Sequence, residues 1–146
     1  YDRLVGSEMC IRDRGFTFSM EDALSIQGDS APFAMYSHAR MCSILDRYGA
    51  EVPALRIEEN LTDSEIDLLR FLVKWPQTVD SAIDKFGIHL IPSYVHQLSS
   101  KFNNFYRDCK VIGDVNESFR LNLVLVSKRI LFEALDILGV EAPEKM

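Results

Sequence analysis

The chain has 146 residues, 47% of them apolar, few glycines and prolines, and a net charge of −6 at pH 7. That is enough apolar material for one domain with a real core, and it rules out a linker or a disordered tail. An acidic total argues against a nonspecific polyanion binder, because phosphates are repelled, but it leaves room for a local basic patch.

The opening stretch, residues 1–14, shows no helical or alternating apolar period and mixes its charges evenly. It resembles a translated sequencing adapter and is set aside as a non-native or disordered leader to a domain spanning 15–146. Residues 20–27 form a short apolar-periodic piece stopped by Gly28. Ala31-Pro32 then opens a longer predicted helix, since proline suits a first turn whose N–H would be unpaired anyway. It runs to about Tyr48, and Gly49 is a fitting stop. Residues 51–60 read as a polar connector rich in carboxylates.

Thr62-Asp63-Ser64-Glu65 is a capping box, in which hydroxyl and carboxylate satisfy each other's loose backbone N–H groups. The helix it starts is predicted to carry Ile66, Leu69, Leu72 and Val73 on its inner face and to end near Trp75-Pro76. A further helix is expected over 77–86, with Val79, Ala82, Ile83 and Phe86 inward and Gly87 as its end. Pro92 starts the next, whose Tyr94, Leu98, Phe102, Phe105 and Cys109 form the clearest helical stripe in the chain. After a Gly113-Asp114 turn, a long helix over 117–138 is apolar on nearly every side and is expected to be central. Gly139 caps it. The architecture is therefore all-α, a helical bundle. No apolar run reaches the roughly 18 residues of a membrane span. No apolar stretch follows a basic start, as a secretory signal requires. Cys10, Cys42 and Cys109 have neither disulfide-framework nor zinc-ligand spacing, so no metal site is expected and a reducing cytoplasm fits best.

Three segments carry a family likeness. The first is Gly28-Asp29-Ser30-Ala31-Pro32-Phe33-Ala34-Met35-Tyr36-Ser37-His38-Ala39-Arg40. It is similar to the segment that leads arginyl-tRNA synthetases out of their catalytic domain, where Gly-x-x-Ala-Pro-Tyr precedes Tyr-Ala-His-Ala-Arg. The second, Tyr94 to Leu98 with Phe102 to Val111, looks like the family's helix ending in Phe-Tyr and a nearby Cys-x-Val. The third runs from Arg120-Leu121 to Leu138-Gly139-Val140 and closes on Ala142-Pro143-Glu144-Lys145-Met146, like the family's Leu-Gly-Ile-x-x-Pro-Glu-Arg-Met. Phe33 stands for the usual tyrosine, Ser37 for alanine and Lys145 for arginine. The last change loses the planar fork of a guanidinium.

The resemblance implies a DALR-type anticodon-binding bundle of the class I aminoacyl-tRNA synthetases, with 15–50 including the junction to a catalytic domain outside this chain. Its implied partners are that domain and the anticodon stem-loop of arginine tRNA, bound by a monomer. The parent enzyme would load arginine onto tRNA with ATP and Mg. The His-Ile-Gly-His-like and Lys-Met-Ser-Lys-like signatures of that chemistry are absent here, and Gly87-Ile88-His89-Leu90 is not one of them. The chain itself is therefore expected to hold no catalytic residue and no cofactor.

Single-stranded loops are read by aromatic stacking and edge hydrogen bonds, and their phosphates are held by Lys and Arg. Tyr106 matches a family tyrosine that helps form an anticodon-base pocket, and Met146 matches the methionine that closes it. Residues 101–130 hold six basic residues against three acids, whereas 46–70 hold three against seven. Lys101, Arg107, Lys110 and Lys145 are accordingly the candidate phosphate contacts, against the alternative that such helix-surface charges are merely solvated. Tyr36 and Arg40, four apart, share one helix face. With His38 they are read as a hydrogen-bonded hinge against the catalytic domain or a tRNA contact. No nucleophile can be assigned to His38 from sequence, so a catalytic role fails for it. Cys42 and Cys109 read as small buried apolar residues. The rival readings are a helical protein-interaction domain without RNA binding, favoured by the acidic total, and the anticodon domain of another class I synthetase such as the cysteine enzyme. The closing Pro-Glu-Lys-Met argues against the second.

Overall fold

In a computed structural model of the chain, residues 30–146 are described. The adapter-like 1–14, the predicted helical piece at 20–27 and Cys10 lie outside them. The described residues form five helices and no strand: α1 (Ala31–Tyr48), α2 (Asp63–Leu72), α3 (Trp75–Asp84), α4 (Leu90–Asp108) and α5 (Glu117–Ile137). No helix among them is long and apolar enough to cross a membrane.

Local signals set these boundaries. The Ser30 hydroxyl caps α1 by accepting from the Phe33 N–H, with Pro32 in the first turn, and Gly49 ends the helix at φ 69°. The capping box at α2 is complete, with the Thr62 hydroxyl accepting from the Glu65 N–H and the Glu65 carboxylate from the Thr62 N–H. Trp75-Pro76 begins α3 rather than ending α2, because proline fits the opening turn of α3.

The predicted stripe on α4 is buried along its whole length, from Tyr94 through Leu98, Phe102 and Phe105 to Cys109. Ile91, Val95 and Ser99 widen it, so α4 packs against all four other helices. It is therefore the hub, in place of α5. On α5, Val126, Phe132 and Ile137 face outward while Leu121, Val124, Leu131 and Leu135 enter the core.

Two predicted faces are rotated. On α2 the inward residues are Glu65, Leu68, Phe71 and Leu72, and Val73 is 72% exposed. An almost unbroken apolar run, Leu68-Leu69-Arg70-Phe71-Leu72-Val73, has no unique stripe, and the ion pair made by Glu65 selects the rotation. On α3 only Trp75 is fully buried, while Ile83 and Phe86 face solvent. Phe86 itself takes the left-handed turn, at φ 49°, as α3 ends.

Glu65, fully enclosed, accepts from Arg120 Nε at 2.6 Å. Arg120 also donates to the Lys110 carbonyl at 2.8 Å and meets Asp114 at 2.9 Å. One guanidinium thus joins the start of α2, the exit from α4 and the first turns of α5. Nearby, Asn116 accepts from the N–H groups of Glu58 and Glu59, which ties down the polar connector. Tyr94 gives its hydroxyl to the Phe71 carbonyl and stacks on the Phe71 ring, with burial raising its pKa.

Burial alone would raise the Glu65 pKa, but Arg120 and the Thr62 donors outweigh it and hold the carboxyl below its ordinary range. A depressed folded-state pKa contributes stability above the unfolded carboxylate pKa, and that stability is lost as pH falls through the folded value. Glu65→Gln is therefore expected to cost about 3 kcal/mol at pH 7, since it strands a buried cation. Urea denaturation of both proteins should show the gap narrowing toward pH 4.

Candidate nucleic-acid interface

Tyr36 and Arg40 stand one turn apart on α1, as their spacing requires. Arg40 Nη2 donates to the Tyr36 hydroxyl at 2.6 Å, and its guanidinium carbon lies 4.6 Å from the Tyr36 ring centroid. From α4, Tyr106 places its ring 5.1 Å from the same carbon. The guanidinium is thus held against two aromatic rings contributed by two helices, an arrangement favoured by the ring quadrupoles. Arg40 Nη1 also donates to Asn103 Oδ1 at 3.2 Å. These bonds use two of its five N–H groups. A cleft of about 310 Å³ opens beside it, lined by Arg40, Ser43, Ile44, Arg47 and Tyr106. Tyr106 is 39% exposed, half buried against Phe102 and half open to this cleft.

Arg47 is a residue that charge counting misses, because it falls in the stretch where acids outnumber bases. The usable signal is its spacing, seven residues after Arg40 and hence on the same helix face. Asn103 is missed too, since its importance lies in contacts with another helix.

The remaining candidates scatter. Lys101 is engaged with Asp67 at 2.6 Å and lies over the Phe71 ring, on the side of α4 that faces α2. Arg107 pairs with its neighbour Asp108 at 3.0 Å, and Lys110 is exposed past the end of α4. Arg120, one of the six bases in the positive stretch, is withdrawn into the buried ion pair. The positive charge available on that surface is smaller than the sequence count.

His38 departs from the grouping with Tyr36 and Arg40. Two residues along a helix is a rotation of about 200°, so its ring leaves on the far side of α1. It is 1% exposed, and its Nδ1 lies 2.9 Å from the Pro143 carbonyl. A carbonyl only accepts, so Nδ1 carries the proton and donates. The ring also lies beside Phe132. His38 thus fastens the segment after α5 to α1. Lys145 and Met146 are exposed beyond it, and Met146 does not line the cleft beside Tyr106. The cleft beside Tyr106 is walled by Tyr106 and by residues of α1.

Cys42 sits one turn from His38, with Sγ 3.8 Å from Nδ1. This neighbour is not a catalytic pair. The histidine proton is committed to Pro143, the thiol is buried, and burial pushes its pKa up, with Lys128 opposing. No group of three or more potential metal ligands occurs among the described residues. In native protein Cys42 is expected to react with iodoacetamide at pH 7.5 at least tenfold more slowly than after unfolding in urea, read by peptide mass spectrometry.

Residues 34–146 match the family described as the DALR anticodon binding domain. The arginine–tRNA ligase of Thermococcus kodakarensis is 41% identical over 92% of this chain and 22% of its own length. That of Halorubrum lacusprofundi is 38% identical over 91% of this chain and 26% of its own. The chain thus spans about a quarter of the length of these relatives. Among solved structures, the Thermus thermophilus arginyl-tRNA synthetase superposes with a TM-score of 0.74 at 32% identity, covering 88% of this chain and 23% of that one. The Plasmodium falciparum enzyme gives 0.79 at 26% identity, covering 90% and 24%.

Proposed function

The chain belongs to the DALR anticodon-binding family of the arginyl-tRNA synthetases, and from that premise we propose that it docks the anticodon stem-loop of arginine tRNA on the face shared by α1 and the end of α4. The observation that carries the reading is the Arg40 guanidinium held against the Tyr36 and Tyr106 rings at the edge of an open cleft. Such a group offers an unstacked base a flat surface and offers a phosphate or base edge several aligned N–H donors. Arg47, in the same cleft, supplies a second positive charge for the backbone.

Residues 30–146 serve in this reading as a recognition module. Residues 15–50 include the junction to the catalytic part of a larger cytoplasmic, monomeric ligase, in which ATP and Mg support attachment of arginine to tRNA. Lys110, Arg107, Lys101 and Lys145 remain candidates for peripheral phosphate contacts. The Lys101–Asp67 and Arg107–Asp108 pairs are exposed and weak, and give way to a phosphate at small cost. Met146 is a candidate contact at the edge of the bound loop.

A second reading, a helical protein-interaction domain, is favoured by a structural feature beside the acidic total. An apolar groove of about 240 Å³ between α2 and α5 is lined by Leu55, Leu69, Val73, Val126 and neighbours. It predicts no affinity for RNA.

Fluorescence anisotropy with arginine tRNA, an anticodon-substituted form and an unrelated tRNA, at two salt concentrations, separates the two. The docking reading predicts tightest binding to the arginine tRNA, weakened by salt and by the anticodon change. Tyr106→Ala is expected to lose about 1–3 kcal/mol of that binding if a base stacks there. Equal or absent binding of folded protein to all three would count against the anticodon-docking reading.

A further inference from the structure

Ser37, on α1, is fully buried where α1 meets α4. Its hydroxyl donates to the Phe33 carbonyl one turn back, at 2.9 Å. With its proton spent there, the oxygen is an acceptor, and Asn103 Nδ2 on α4 donates to it at 3.2 Å. That contact fixes which way the Asn103 amide faces. The nitrogen must point to Ser37, so Oδ1 points to Arg40 and accepts from its Nη1. With Arg40 Nη2 donating to Tyr36, the chain of donors and acceptors runs from the α1 backbone, through α4, to the guanidinium, with every direction set.

We propose that Asn103, oriented by Ser37, is a positioning residue that locks the plane and rotation of the Arg40 guanidinium for RNA, without touching RNA itself. Contact with the two rings, 4.6 and 5.1 Å from the guanidinium carbon, does not by itself fix the rotation of the group. Asn103 and the Tyr36 hydroxyl are the two fixed points that stop the turning. So held, Arg40 lines the cleft with N–H groups still unspent.

This inference rests on the docking reading, and the test separates the two. Asn103→Ala and Ser37→Ala are compared with wild type and Arg40→Ala in two measurements. The first is the nitrogen-15 spectrum of the Arg40 guanidinium, in which restricted rotation resolves separate Nη resonances. The second is affinity for the anticodon stem-loop of arginine tRNA. Wild type is expected to show resolved resonances and salt-sensitive binding. Asn103→Ala should average the resonances and weaken binding about tenfold, with circular dichroism unchanged. Ser37→Ala should do both to a smaller degree. Ser37→Ala combined with Asn103→Gln, whose longer amide reaches Arg40 without needing the hydroxyl, should recover part of both. Averaged resonances already present in wild type, or unchanged affinity in a folded Asn103→Ala whose guanidinium has become mobile, would overturn the proposal. If Arg40→Ala binds as well as wild type, the docking face itself is wrong, and the resonances still decide whether Asn103 fixes Arg40.

Discussion

The Glu65 carboxylate sits where three parts of the chain converge, and each of its oxygens has a separate task. One oxygen closes the α2 capping box through the Thr62 N–H at 2.7 Å, and the other receives Arg120 at 2.6 Å. Arg120 in turn holds the Lys110 carbonyl and Asp114, which fixes the path of the chain as it leaves α4. Enclosed charges of this kind are costly unless every donor and acceptor is met, and here they are met from residues 62 to 120. The exit from α4 matters because Tyr106 lies less than one turn before it. The α4 hub therefore enters the proposed docking face with its last turn already anchored, and α1 needs only to dock alongside.

That docking uses both sides of α1. On one side, Met41 and Ile44 join the core while Arg40 reaches Asn103 and Tyr106. On the other, His38 fastens Pro143, so the segment after α5 lies along the helix. A short run of sequence, Tyr36 to Arg40, thus serves two opposite faces, which is why its polar residues alternate in purpose. Arg40 faces the cleft with Tyr36 bonded to it, and Ser37 and His38 bond inward. The acidic total of the protein does not conflict with the proposed RNA docking, because that proposal rests on the charges at the cleft. Arg40 and Arg47 stand there, while the acids of 51–59 lie on the connector before α2.

Much of this was legible before any coordinates. Capping residues fixed both ends of α1 and the start of α2, since those signals act over three or four residues. The α4 stripe was equally plain, because its apolar spacing admits one face only. The inner face of α2 was not, since Leu68-Leu69-Arg70-Phe71-Leu72-Val73 offers two nearly equal stripes and Glu65, read only as a cap, chose between them. Arg120 counted as a surface base because its partner is 55 residues away in sequence. Asn103, Ser37 and the His38–Pro143 bond were hidden for the same reason. Their meaning comes from a neighbour on another helix, and no local period encodes it. Within the site, Tyr36, Arg40 and Tyr106 are each legible in the sequence, but their meeting across two helices is not, because it depends on how α1 packs on α4.

The central claim is that a stem-loop meets the protein on the α1–α4 face. Titration of isotope-labelled protein with the anticodon stem-loop of arginine tRNA, followed by amide and side-chain chemical shifts, tests this most directly. The account predicts the largest changes at Tyr36, Arg40, Ser43, Arg47 and Tyr106, with smaller ones at 144–146. Changes centred instead on the α2–α5 groove around Leu69, Val73 and Val126, with the Arg40 and Tyr106 signals unmoved, would contradict it.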